Sequence, residues 1–343
     1  MRKLLNTLYV TSPNSYLTRD GDNIVIKEED KEKLRIPAHN LESVICFNYA
    51  GASPSLMSLC AEKGISLSFL SPSGYFYARV TGKVNGNVLL RRKQYRVADN
   101  LMESSAFAKN FIIGKVYNSR AILQRALREY KNMESSGELQ RASDYLNFQL
   151  MRLDNSENLE TVRGIEGESA HIYFSCFNHL IINQKESFLF SERNRRPPLD
   201  NVNALLSFLY TLLMHDVQAA LETVGLDPYV GFLHRDRPGR ASLALDLMEE
   251  LRPYLADRMT LSLINKRQVD SKGFVSKESG AVIMDDDTRK VVITAWQKRK
   301  QEEIMHPYIN EKIPVGLLPY VQAMLLARTL RGEIDEYPPF LIK

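Results

Sequence analysis

Around Arg91-Arg92-Lys93-Gln94-Tyr95-Arg96 the chain changes period, and no fold built from one kind of element accommodates both sides of that point. Before it, short apolar runs alternate with turn residues; after it, apolar residues recur at three- and four-residue steps almost to the end. LLNTLYV, SYLTRDGDNIVIKEE, LESVICFN, ISLSFLS and YFYARVTG read as strands, with a hairpin at Asp20-Gly21-Asp22. SLMSLCAEKG reads as a helix stopped at Gly64. AFAKNFIIGKVYNSRAILQRALREY and ELQRASDYLNFQLMRL are long amphipathic helices. The expected fold is α+β: a small β-rich N-terminal domain over residues 1–90, suited to scaffolding or dimerisation, then a larger all-α domain over 91–343.

Composition narrows the function classes. Against 45 Lys and Arg stand 41 Asp and Glu, so the net charge of +4 says little and only clustering of charge can point to nucleic acid. Cys46, Cys60 and Cys176 are odd in number and set among apolar neighbours, which reads as reduced buried thiols rather than a disulfide framework or a zinc site. No apolar run reaches the roughly 20 residues of a membrane span, and the start lacks a signal-peptide core, so a cytoplasmic protein without a membrane partner is expected.

Within the helical part, Glu166 shares a face with Ala170, Tyr173, Phe174 and Phe177, expected to be buried, while Glu168 points elsewhere. A buried carboxylate needs a cation, a donor or a metal. Complementing the positive end of its helix would explain an acid near the start but not its face. Arg193, Arg195 and Arg196 precede two prolines that stiffen the chain, a loop able to grip phosphates or merely to stay solvated. The helix that follows, from about Val202 to Thr223, is strongly apolar, with Asp200 or Asn201 as its cap and His215 as a core histidine.

The stretch PYVGFLHRDRPGRASLALDLMEELRP joins one histidine, His234, to Arg235, Arg237, Arg240 and a helix that carries acids. Pro238 and Gly239 break the chain, so this helix is expected to begin near Arg240 or Ala241 with Ser242 capping its first turn. Leu243, Leu247 and Leu251 form its buried stripe; Asp246 and Glu249, three apart, lie on one face beside it. A short loop can turn His234 towards these acids, and carboxylate with imidazole at a core edge suits Mn or Mg. Taken alone, the stretch is more economically a satisfied core histidine beside a solvated acidic face, with Glu249 pairing Arg252.

Further on, Asp285-Asp286-Asp287 directly precede a helix and read as a cap. Lys298, Arg299 and Lys300 are candidate DNA contacts or a solvated face, and Phe340, Leu341 and Ile342 in the tail could dock on a partner or second subunit.

Taken together, Gly164-Ile165-Glu166-Gly167, Arg196-Pro197-Pro198 with Asn203-Ala204-Leu205-Leu206, Gly231-Phe232-Leu233-His234 and Ser242-Leu243 through Asp246-Leu247-Met248-Glu249 give the chain a specific likeness over essentially its whole length. It resembles the universal CRISPR-associated endonuclease and integrase family, which inserts new spacers into a CRISPR array, and within it the members from the C subtype of type I systems. The resemblance implies a metal-dependent DNA endonuclease and integrase with Glu166, His234 and Glu249 as catalytic metal ligands; the family's third acid is usually aspartate. It places Asp246 near the site, and the choice of Glu249 over Glu250 rests on it. Mn or Mg would be the cofactor, and Arg193, Arg195, Arg196, Arg235, Arg237, Arg240, Lys298 and Arg299 candidate DNA contacts. The implied partners are double-stranded DNA (spacer precursor and CRISPR repeat), a second copy of the chain, and a small ferredoxin-fold adaptation protein that completes a hetero-hexamer. Two other classes remain open: a DNA-binding scaffold whose metal is structural, and a nuclease of branched DNA in repair.

Overall fold

The alternating stretches before residue 90 become two sheets. In the computed structural model, which describes residues 5–47, 51–72, 76–80, 82, 87–130, 134–156 and 158–342, they comprise β1 (Asn6–Val10), β2 (Tyr16–Asp20), β3 (Asn23–Glu28), β4 (Lys31–Pro37), β5 (Leu41–Cys46), β6 (Ser66–Leu70) and β7 (Phe76–Val80). Leu4, Asn48, Tyr75 and Thr81, at the ends of expected strands, lie outside the described residues. β2, β3 and β4 form an antiparallel meander, turning at Gly21 with φ 58°. The other sheet runs β1-β5-β6-β7, parallel at β1-β5 and β5-β6. Parallel neighbours need a crossover, and α1 (Pro54–Lys63) supplies it between β5 and β6, capped by Ser53 and ended at Gly64 with φ 68°. Leu17, Ile24, Val44, Leu56, Leu59 and Leu67 make up much of the core, together with Cys46 and Cys60. Burial pushes the Cys46 thiol up to about 12 and the Cys60 thiol to about 11, as reduced structural cysteines require.

The second unit is helical: α2 (Val88–Asp99), α3 (Leu101–Glu129), α4 (Ser136–Asp154), α5 (Leu159–Ser175), α6 (Asn201–Thr223), α7 (Ser242–Glu249) and α8 (Arg258–Asn265). One helix departs from the expected division. α9 (Asp286–Gln301) belongs to the β-rich unit, which comprises Met1–Asn85 with Met284–Glu302, and the helical unit comprises Gly86–Ile283 with Glu303–Lys343. The reason is local: Val292 and Trp296 are buried, Arg289 donates to the Pro72 carbonyl, and Gln297 Nε2 donates to the Thr7 carbonyl at 2.9 Å. Asp285 caps α9 through the Thr288 N–H at 2.8 Å, while Asp286 and Asp287 pair with Arg289 and Lys290.

In the helical unit α3 is the axle, packing against α4, α5 and α7. α6 lies against α7 and α10 (Leu318–Leu330). By length and composition α6 is apolar enough to cross a membrane, but its apolar side chains, Leu205 to Leu221, are buried within this unit. Asp200 caps it at the Asn203 N–H. A short π-helical segment, Pro253–Asp257, joins α7 to α8. The tail does not stand free for a partner: Tyr337 and Phe340 are fully buried, and Asn118 on α3 donates to the Phe340 carbonyl while its own carbonyl accepts the Ile342 N–H.

Candidate functional site

A cavity of about 430 Å³ opens where α3, α5, α6 and α7 meet. Its lining includes Lys115, Glu166, Phe174, Arg193, Arg195, Tyr210, His234, Glu249 and Asp257. α5 contributes Glu166 by the face expected, which Ala170, Tyr173 and Phe174 share on the cavity lining, while the helix's buried stripe, Leu159, Val162, Ile165, Ser169 and Tyr173, runs beside it. Glu166, Ala170 and Phe174 flank that stripe and form one wall of the cavity. Glu168 faces away, held by Gln149 and Arg152 on α4.

His234 is set by Asp246. This fully buried carboxylate accepts the backbone N–H groups of Phe232 at 2.6 Å, Leu233 at 2.9 Å and His234 at 3.0 Å, and its Oδ1 lies 2.6 Å from His234 Nδ1. These four hydrogen bonds make Asp246 a clamp on the histidine loop. Its acceptor oxygen places the proton on Nδ1, so in the neutral ring Nε2 carries the lone pair. The loop approaches closely: a Cβ on Gly231 would lie 2.7 Å from Asp246 Oδ2 and 2.8 Å from the Ser242 carbonyl carbon. Gln94, buried on α2, grips the Asp227 and Val230 carbonyls, and Tyr95 donates to Asp227, so the basic run spends two of its members on holding this loop. Ser242 is not the cap of α7; its hydroxyl donates to the Arg235 carbonyl, and the Pro228 carbonyl takes the Leu243 N–H at 3.0 Å.

Glu249 points into the cavity between two cations. Arg252 Nη1 lies 3.0 Å from Oε1 and Lys115 Nζ 2.8 Å from Oε2; the same ammonium contacts Glu166 Oε1. Burial pushes the Glu249 carboxyl up, but Arg252 and Lys115 outweigh it and hold the group down at about 2. The adjacent acid serves a different purpose. Glu250 faces the other way, taking hydrogen bonds from Gln322, Tyr337 and the Phe340 N–H, and burial raises it to about 7.

The arginines divide. Arg193 and Arg195 line the cavity, Arg193 packed over the Tyr210 ring at 5.3 Å and bonded to Asn203 Oδ1 at 2.6 Å. Arg235 is exposed and pairs with Glu160, Arg240 is tied back to the Arg235 carbonyl, and Arg196 and Arg237 are exposed away from the cavity lining. Lys298 is exposed on α9, Arg299 pairs with Glu302, and Lys300 is buried against Thr7. Sequence reasoning missed Lys115, Tyr210 and Asp257 in the cavity lining, and Arg163, which joins α5 to the histidine loop by donating to the Leu233 carbonyl at 2.9 Å. Arg163 stands three before Glu166, so helical spacing could have found it.

Among the described residues, no three His, Cys, Asp or Glu side chains form a group able to hold a metal as they stand. Instead, oxygens from two helices meet one ammonium, so a point between Glu166 and Glu249 accommodates positive charge, with His234 on the same cavity. Hard carboxylate oxygens plus one imidazole are a donor set that suits Mn or Mg, and the residues fit such an ion.

Paired carboxylates, a clamped imidazole and cavity arginines describe an enzyme of phosphodiester chemistry. Residues 8–298 match the family described as CRISPR associated protein Cas1, and the chain belongs to that family of CRISPR-associated endonucleases. It is 51% identical over 341 residues to CRISPR-associated endonuclease Cas1 1 of Chlorobaculum tepidum, covering 99% of both chains. Its fold is similar to that of a casposase bound to integration product, with TM-score 0.85 at 20% identity over 99% of this chain and 95% of that one. It is also similar to a chain of a Cas6-RT-Cas1–Cas2 complex, with TM-score 0.83 at 22% identity over 100% of this chain and 37% of that one.

Proposed function

We propose that this chain is a metal-dependent DNA endonuclease and integrase of CRISPR adaptation, which joins short foreign DNA fragments to a CRISPR array by 3′-hydroxyl attack on a phosphodiester. One observation carries the reading: Glu166 and Glu249, from separate helices, converge on a single cation in the cavity that His234, Arg193 and Arg195 also line. Glu166, Glu249 and His234 through Nε2 would hold Mn or Mg. Such an ion, when bound, activates an attacking oxygen and offsets charge on the phosphoryl group. Asp246 keeps the His234 proton on Nδ1, and Arg252 fixes one oxygen of Glu249 so that the other faces the cavity. Arg193 and Arg195 grip the phosphate, Arg193 with its guanidinium plane already set by Tyr210 and Asn203.

The same reading assigns duplex DNA, as spacer precursor and repeat, as substrate. It adds a homodimer joined by a ferredoxin-fold second adaptation protein in a hetero-hexamer, a cytoplasmic location and the C subtype of type I systems. The solved complex named for Cas6-RT-Cas1 and Cas2 supports a second protein as partner. The test is a strand-transfer assay in Mn with a short duplex bearing free 3′ hydroxyls, a plasmid carrying the cognate repeat and the partner protein. Covalent joining by the wild type and none by His234→Ala is expected. Cutting without joining would favour a repair nuclease, and DNA binding without chemistry a scaffold.

A further inference from the structure

Lys115 is unaccounted for by that chemistry. It projects from α3 with its side chain only 11% exposed, and its ammonium contacts Glu166 from α5 and Glu249 from α7. Among the described residues these are its only ionic partners. The two cations on Glu249 are not equivalent. Arg252 is held flat, 5.0 Å over Tyr210 and bonded to Oε1, whereas Lys115 is a point charge on a flexible four-carbon stem beside open cavity. The point it fills is the one at which both carboxylate oxygens are available, so a divalent ion held by Glu166 and Glu249 and this ammonium exclude one another by charge and by volume.

Resting on the metal-dependent reading above, we propose that Lys115 is a displaceable counter-ion that couples metal binding to DNA binding. Without metal it neutralises two carboxylates that would otherwise repel each other. When a divalent ion enters, the ammonium swings off into the cavity that Arg193 and Arg195 line, where a DNA phosphate is the anion that can receive it. DNA therefore eases the departure of Lys115 and tightens metal binding, and by linkage metal tightens DNA binding by the same factor. Charge would pass from protein carboxylates to substrate phosphate without an ionic group ever being left alone in the cavity.

The test measures Mn²⁺ affinity from the paramagnetic resonance of the free ion, for wild type and Lys115→Met, with and without a short phosphorothioate DNA duplex that resists cleavage. Lys115→Met is expected to bind Mn²⁺ about tenfold tighter than wild type without DNA, and DNA is expected to tighten Mn²⁺ binding in wild type by about tenfold more than in the variant. An equal effect of DNA in both proteins would show Lys115 to be a fixed charge and overturn the proposal. So would weaker Mn²⁺ binding by the variant, which would make the lysine a prop for the carboxylates. Should Lys115→Met fail to fold, Lys115→Gln keeps a polar side chain at the position and is read in the same way. Glu249→Gln separates the two readings: Mn²⁺ binding indifferent to it would sink the metal site itself, whereas binding that depends on Glu249 but ignores Lys115 would sink only the coupling.

Discussion

Asp246→Asn offers the sharpest test of how the histidine is held. The carboxylate takes two hydrogen bonds on each oxygen: Phe232 and Leu233 N–H on Oδ2, and His234 N–H with Nδ1 on Oδ1. An amide has one acceptor end, so whichever way it turns, two donors face its NH₂ group. Two bonds to a buried charged group, at about 1.5–3 kcal/mol each, put the loss near 3–6 kcal/mol. For a helical unit of this size that corresponds to a fall in Tm of about 6 to 24 °C. If the amide oxygen keeps Phe232 and Leu233, the imidazole relieves the clash by moving its proton to Nε2, which removes the lone pair offered to the metal. Mn²⁺ affinity then falls by about 10- to 100-fold. Thermal unfolding and Mn²⁺ titration of the same samples check both numbers. An unchanged Tm with Mn²⁺ binding abolished would refute the clamp and make Asp246 a ligand; no change in either would refute any part for it.

Three further expectations follow from neighbouring groups. Glu249→Gln is expected to abolish Mn²⁺ binding and strand transfer, whereas Glu250→Gln keeps both and costs about 1–3 kcal/mol in urea unfolding, because its amide opposes the Phe340 N–H. Burial lifts Asp257 from 3.8 to about 6 against the Tyr210 hydrogen bond, so the folded state keeps this proton to a higher pH than the unfolded chain. Its contribution to stability therefore falls by about 3 kcal/mol between pH 4 and 6, and Asp257→Asn is expected to flatten that part of the stability profile; an unaltered slope would place the ionised form in the fold. Gly231→Ala, whose Cβ would meet Asp246 and Ser242 at under 3 Å, is expected to lower stability by about 1–3 kcal/mol and weaken Mn²⁺ binding with it, read by the same titration.

How much of this was legible depended on the range of each interaction. Strand and helix textures were readable because burial repeats along the chain, and Gly64, Asp200 and Asp285 marked their element ends through local chemistry. Membership of a core was not: the apolar stripe of α9 announces a buried helix but not whose core buries it, and only Arg289, Gln297 and Val292 reveal the answer. Glu166, His234 and Glu249 could be listed from residue type and motif. Residue type and spacing alone did not separate the three acids of one short segment, where Asp246 clamps, Glu249 faces the cavity and Glu250 grips the tail; only the family resemblance chose Glu249. Lys115 left no signal, lying 51 residues from Glu166 on a helix with many polar positions.

The grip of Glu250 on Tyr337 and Phe340 spans 87 and 90 positions of sequence. On a ribosome adding about 5–20 residues per second, α7 emerges on the order of ten seconds before the residues that settle its outer side. The tail residues are therefore the last to join the helical unit, and the outer side of α7 is completed only when they arrive.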